Sequence, residues 1–192
     1  MARTNSGEAE RVAVRAVAAL MAASARTAPK TRGVDMTDTL IVDGDDVAVL
    51  GSAMEEAAAT KVESVAPIFV RDARGVRASE CVVLFGVSGV PKRLDRPFNC
   101  GACGFATCEA LLRSRLRKGD DFSGPVCAFQ SIDLGVALAS AAKVASDHNI
   151  DNRIMYTAGV AAMKLGWMNA DLVVGIPLAT SGKNPFFDRE QQ

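Results

Sequence analysis

The sequence predicts an α+β fold, with helices around a small mixed or antiparallel sheet and an inserted four-cysteine module. Three observations predict it. Strand-like runs are few and short, at 38–46 (DTLIVDGDD), 67–72 (PIFVRD), 80–87 (ECVVLFGV) and 170–177 (ADLVVGIP). Long Ala-rich stretches of helical character lie before and between them. Three of the five cysteines fall within NCGACGFATC, residues 99–108, a density unlike the single buried cysteines of ordinary cores.

Each element can be justified in order. Residues 1–7 read as a frayed leader. A first helix over about 7–25 carries Ala13, Ala16, Val17, Leu20, Met21 and Ser24 on one stripe. The same stretch holds basic residues, an apolar run and Ala-Ser-Ala, as a secretory leader would. Glu8, Glu10 and Arg15 interrupt that pattern, so an amphipathic helix is the expectation. RTAPKTRG follows as a basic loop stopped by Pro29 and Gly33. After the first strand, Asp45 or Asp46 can cap a helix through VAVLGSAMEEAAATKVES. ECVVLFGV is apolar enough for the centre of a sheet. Ser131 opens a long helix ending near Asn149, with Ala and Gly positions that suit burial on more than one side. Asp151 caps a further helix that stops near Gly166, and ADLVVGIP is the last strand.

With 192 residues, 49% hydrophobic, the chain reads as one domain over 1–192, with residues 97–128 inserted. At this length roughly 70% of the unfolded surface can be buried, so a core needs no disulfide framework. Lys+Arg and Asp+Glu number 22 each, and aromatics are few, which argues against a nucleic-acid-binding surface. No run of about 20 apolar residues is present, so no membrane span is expected. An odd cysteine count without a convincing secretory signal points to a reducing compartment, the cytoplasm.

The cysteine spacing is Cys100-x2-Cys103-x4-Cys108, with Cys127 following 19 positions later. Four thiolates are the usual complement of an iron–sulfur cluster. Gly101 and Gly104 let the backbone fold tightly and bring N–H groups towards the sulfurs. EALLRSRLRKG then reads as a helix with Leu112 and Leu116 on one face and Gly119 as its stop. The SGP turn returns the chain to Cys127. A 4Fe–4S cluster is the expectation. Disulfides, a four-cysteine zinc site and a CxxC redox dithiol are the competing readings.

CGACGFATC with one later cysteine resembles the short cluster module of corrinoid iron–sulfur proteins and electron-transport iron–sulfur subunits. Ala128 stands where those modules often carry proline. SARTAPKTRGVD, NCGACGFATC, HNIDNRIMYTAGVAA and GIPLATSGKNPFFDR carry a broader resemblance, to an uncharacterised prokaryotic family of ferredoxin-domain proteins. That resemblance implies electron transfer and supplies no reaction. Outside residues 97–128, the helix ending in ARTAP, APIFVRDA and IDLGVALASAAKVASDHNI are loosely similar to flavin-dependent nitroreductases. This implies FMN and a homodimer joined by the long Ala/Gly-rich helices. The arginine-rich opening that holds the flavin phosphate in those enzymes is missing. The cations left for that phosphate are Arg26, Lys30, Arg32, Lys183 and Arg189, each of which read alone is an ordinary loop charge.

Other signals are weaker. DLVVGIPLATSGKN departs from a P-loop in spacing and in Asn184, and LFGVSGVP does not make G-x-G-x-x-G. His148, the single histidine, reads as a helix-end residue, Tyr156 as a core aromatic and Cys81 as buried packing. Arg113, Arg115, Arg117 and Lys118 form either a solvated helix face or a basic edge for an acidic carrier. The leading expectation is an iron–sulfur redox protein, in one form a flavin-linked oxidoreductase, working with a redox partner protein. The alternative is a non-enzymatic binding or assembly protein with a structural zinc or cluster site.

Overall fold

In the computed structural model, residues 3–114 and 116–187 are described, so Arg115 and Arg189 lie outside the described residues. The order is α1 (Ser6–Thr27), β1 (Thr37–Asp43), α2 (Asp45–Ala58), α3 (Ala66–Arg77) and β2 (Cys81–Val87). It continues with α4 (Cys108–Arg113), β3 (Arg117–Lys118), β4 (Ser123–Gly124), α5 (Ala128–Asp147), β5 (Asp151–Asn152), α6 (Tyr156–Lys164) and β6 (Leu172–Ala179).

The main sheet is antiparallel throughout, in the order β1-β2-β6-β5. Side chains alternate across a strand, and here both faces are covered, so β2 is apolar at every position. Cys81, Val83, Phe85 and Val87 face α1 and α5 together with Ile176 and Leu178. Val82 and Leu84 face α2, α3 and α6 together with Val173 and Ala179. The α+β architecture anticipated from the sequence is present.

Several expected elements differ in extent or kind. PIFVRD is helical. Pro67 sits in the first turn of α3, and Phe69, Ala73 and Val76 form a buried i, i+4, i+7 stripe longer than the six residues that suggested a strand. EALLRSRLRKG is helical only to Arg113. Ser114 closes α4 by donating its N–H to the Leu111 carbonyl, and the chain then pairs β3 with β4. Gly119 donates to the Phe122 carbonyl at 2.9 Å, so it turns this short hairpin and does not stop a helix. Gly44 caps α2, with Asp45 and Asp46 in the first turn, where carboxylates complement the helix dipole. Asp151 lies in β5 opposite Ala179, and α6 starts only at Tyr156. The long helix α5 begins at Ala128, before Ser131, with Cys127 as its N-cap.

Candidate functional site

The stretch between β2 and α5 is anchored beside Cys127 by a tight backbone contact. Cys127 donates its N–H to the Gly89 carbonyl at 2.7 Å, and Gly89 donates its own to Asp171 Oδ2 at 2.6 Å. A Cβ on Gly89 would stand 2.6 Å from Val126 Cγ1, so glycine makes room for the valine side chain where the two segments meet. Gly89→Ala is expected to cost about 1–3 kcal/mol by forcing residue 126 outwards. Thermal unfolding measures this, and adding Val126→Ala should recover much of the loss.

The cysteine loop is tied to itself. Asn99, at φ 48°, accepts the Cys108 N–H on Oδ1 at 2.8 Å. Gly104 donates to the Gly101 carbonyl at 2.9 Å, and both glycines have positive φ, 85° and 76°. Thr107 caps α4 by accepting the Ala110 N–H at 3.1 Å. Cys127 stands at the start of a 20-residue helix, where unpaired N–H groups favour an anion.

These folds bring Cys100, Cys103, Cys108 and Cys127 to the wall of one cavity, with Phe98, Phe105, Leu111 and Phe129 as its apolar lining. None is in a disulfide; Cys100 is exposed and the other three are half-buried. Among the described residues, no three His, Cys, Asp or Glu side chains are drawn tightly enough to grip a metal ion. The donor set nevertheless fits an iron–sulfur cluster. It has four cysteine sulfurs and apolar surroundings, and two positive-φ glycines keep Cβ atoms off the enclosing loop. Cys81 is apart from this group, in the core, where burial pushes its thiol up to about 12.

Behind the cavity lies an ion pair that the sequence did not reveal. Lys92 and Asp133 are buried and bonded to each other, although 41 positions apart. Lys92 also donates to the Val34 carbonyl at 2.6 Å. Asp133 accepts the Thr31 N–H at 3.0 Å and its hydroxyl at 2.7 Å. Burial opposes ionisation of Asp133, but the bonds from Lys92 and Thr31 outweigh it and hold the carboxyl below its ordinary range. Lys92 and Thr31 both line the cysteine cavity. Fully buried Gln130 completes the support, donating to the Val90 carbonyl at 2.8 Å.

The proposed flavin cations are dispersed. Arg26 pairs with Asp35 at 2.5 Å. Lys30 buries its side chain and donates to the carbonyls of Ala25 at 2.6 Å and Ala28 at 2.9 Å, closing the C-terminus of α1. Arg32 bonds the Arg96 carbonyl and lies 4.6 Å over the Phe98 ring, itself 5.1 Å from Phe129. Lys183 follows the end of β6 that pairs with Cys81, whereas Arg26, Lys30 and Arg32 lead into the end of β1 that pairs with Val87. The length of the sheet separates them. His148 is the exposed C-cap of α5, and Tyr156 packs edge-on to Phe69.

An uncharacterized protein of Archaeoglobus fulgidus is 47% identical over 178 residues, covering 92% of this chain and 91% of the relative. Residues 123–189 match the family described as "Uncharacterized protein containing a ferredoxin domain". The chain belongs to this ferredoxin-domain family. The matched stretch contains Cys127 and stops short of the other three cavity cysteines. The fold of this family member is that of nitroreductases. A Desulfitobacterium hafniense nitroreductase with bound FMN aligns over 88% of this chain and 78% of its own, with a TM-score of 0.57 and 13% identity. A Bacteroides fragilis nitroreductase with bound FMN aligns over 100% and 85%, with a TM-score of 0.55 and 9% identity. Among the described residues, no helix is long and apolar enough to cross a membrane.

Proposed function

We propose that the protein is an iron–sulfur redox protein holding one 4Fe–4S cluster on Cys100, Cys103, Cys108 and Cys127. The observation that carries this reading is that sulfurs from two separate segments line a single apolar cavity. When bound, such a cluster stores and releases single electrons. The chain's own groups orient and shield that site. Asn99 and Thr107 fix the loop, Phe98, Phe105 and Phe129 exclude water, and Gly89 anchors Cys127. The membership in a ferredoxin-domain family supports electron transfer.

The fold shared with FMN-binding nitroreductases supports a flavin-linked oxidoreductase as the finer reading. FMN would couple the one-electron centre to two-electron chemistry. Arg26, Lys30, Arg32, Lys183 and Arg189 remain its phosphate candidates as alternatives, not as one set, since the sheet separates Lys183 from the first three, and Arg26 would have to exchange Asp35 for the phosphate. In this proposal two copies join through α1 and α5, whose outer stripes expose Val12, Leu20, Ile132 and Val136. A reducing cytoplasm keeps the thiolates available.

One oxygen-free preparation tests the reading. About four iron and four acid-labile sulfide per chain are expected, with a brown colour lost on oxidation. About one zinc per chain and no visible absorption would replace the redox reading with a structural metal site. Heat-released yellow fluorescence reports FMN. If it is absent after incubation with excess FMN and desalting, the protein is a plain electron carrier.

A further inference from the structure

The chain is neutral overall, but its charge is unevenly placed. Residues 88–118, which hold three of the cavity cysteines, contain seven Lys or Arg and two Asp or Glu, a surplus of five positive charges. Lys92 is internal, and Arg93 and Arg113 have partners in Asp95 and Glu109. Arg96, Arg117 and Lys118 have no acidic partner among the described residues.

The same stretch exposes large apolar side chains, which solvated loops normally avoid. Val90, Leu94, Phe98, Leu112 and Leu116 are 37–56% exposed. They are contiguous. Leu94 and Leu112 line a groove whose other walls include Asn99, Thr107 and Arg113. Val90, Leu112 and Leu116 line the groove beside it, so Leu112 joins the two. Asn99 and Thr107 also line the cysteine cavity, and groove and cavity therefore share a wall. An exposed apolar patch with a charged rim marks an interaction surface.

We infer that this surface docks an acidic electron-transfer protein, with the leucines as its apolar centre and Arg96, Arg117 and Lys118 as its steering rim. The inference rests on the redox reading of the cysteine cavity and names the partner of that site. In the docked pair one electron crosses the Asn99–Thr107 wall, so that one centre is oxidised as the other is reduced. No bond is made or broken. Charge complementarity selects the occupant. A two-fold contact with a second copy would set basic rim against basic rim, and a nucleic acid would use the cations but not the leucines.

The probe is a labelled acidic plant-type 2Fe–2S ferredoxin, with basic cytochrome c as the counter-probe, titrated into the full chain at low and high salt. The ferredoxin is expected to bind, and binding should weaken about tenfold or more at high salt. Arg117→Glu with Lys118→Glu should weaken it about tenfold, as should Leu112→Asn. Lys164→Glu, on α6, should leave it unchanged. Leu112 and Lys164 are exposed, so these substitutions spare the core. Absent ferredoxin binding, equal binding of cytochrome c, tighter binding of a DNA duplex, or an equal effect of Lys164→Glu would each overturn the surface. So would a loss of dimer mass in Leu112→Asn, which assigns the groove to a second copy. Iron and sulfide measured on the same samples keep the two readings separable. Cluster-loaded protein that ignores ferredoxin refutes the docking alone, whereas cluster-free protein that binds it refutes the redox reading alone.

Discussion

Serine in place of Cys108 is expected to strip the protein of its brown colour and its reduced-state EPR signal, and to lower bound iron at least tenfold. The fold should survive. Cys108 is half-buried at the first position of α4, and its structural bond is made by its backbone N–H to Asn99 Oδ1, which serine preserves. Thr107 still caps the helix and Leu111 still fills the interior. Far-ultraviolet circular dichroism should therefore match the unsubstituted protein while the visible spectrum disappears. Cys81→Ser supplies the opposite pattern. That thiol lies wholly within the layer between the sheet and α1, and burial holds it protonated, up to about 12. Burying a hydroxyl there without a partner costs about 1–3 kcal/mol and leaves the iron in place. An unchanged spectrum in Cys108→Ser would remove Cys108 from the ligand set, and the cluster would need another ligand in its place.

The contrast between Cys81 and the other four cysteines was legible in the sequence because it rests on local pattern. After Glu80 the run CVVLFGV is apolar at every position, which suits a strand with both faces covered, and β2 is covered on both faces by separate helix layers. The spacing around Gly101 and Gly104 likewise announced a tight loop, and both adopt positive φ. Failures came where a short window was ambiguous. PIFVRD satisfies a strand over six residues, and only the stripe extending to Val76 reveals α3. EALLRSRLRKG has good helix formers throughout, yet tertiary pairing of Arg117 with Gly124 overrides propensity after Arg113. The support of the site was not legible at all. Lys92 sits in a loop among other basic residues, and Asp133 sits in a long Ala-rich helix. Nothing local distinguishes either from a solvated charge until α5, the segment after α1 and the loop after β2 meet.

That meeting point carries the second large effect. Asp133→Ala should destabilise the protein by about 3–5 kcal/mol, because it leaves the Lys92 ammonium buried without its counter-charge. Lys92→Met should cost a similar amount, since Asp133 would keep only its Thr31 bonds. Replacing both by apolar residues should cost much less than the sum, and that non-additivity in urea unfolding is the signature of a coupled pair. The pH dependence has a fixed sign. The folded Asp133 carboxyl is held below its ordinary range, so its stabilisation is complete above the unfolded carboxylate pKa of about 3.9 and is lost as pH falls through the lower folded value. The gap between unsubstituted protein and Asp133→Ala should thus be widest near neutrality and close only in strong acid. Additive single effects, or a gap independent of pH, would show that the pair contributes nothing as a pair. Thr31 and Lys92 both line the cysteine cavity, so the double variant also separates stability from site integrity. A folded chain that has lost its iron would mean that the pair holds the cavity in shape, not merely the fold.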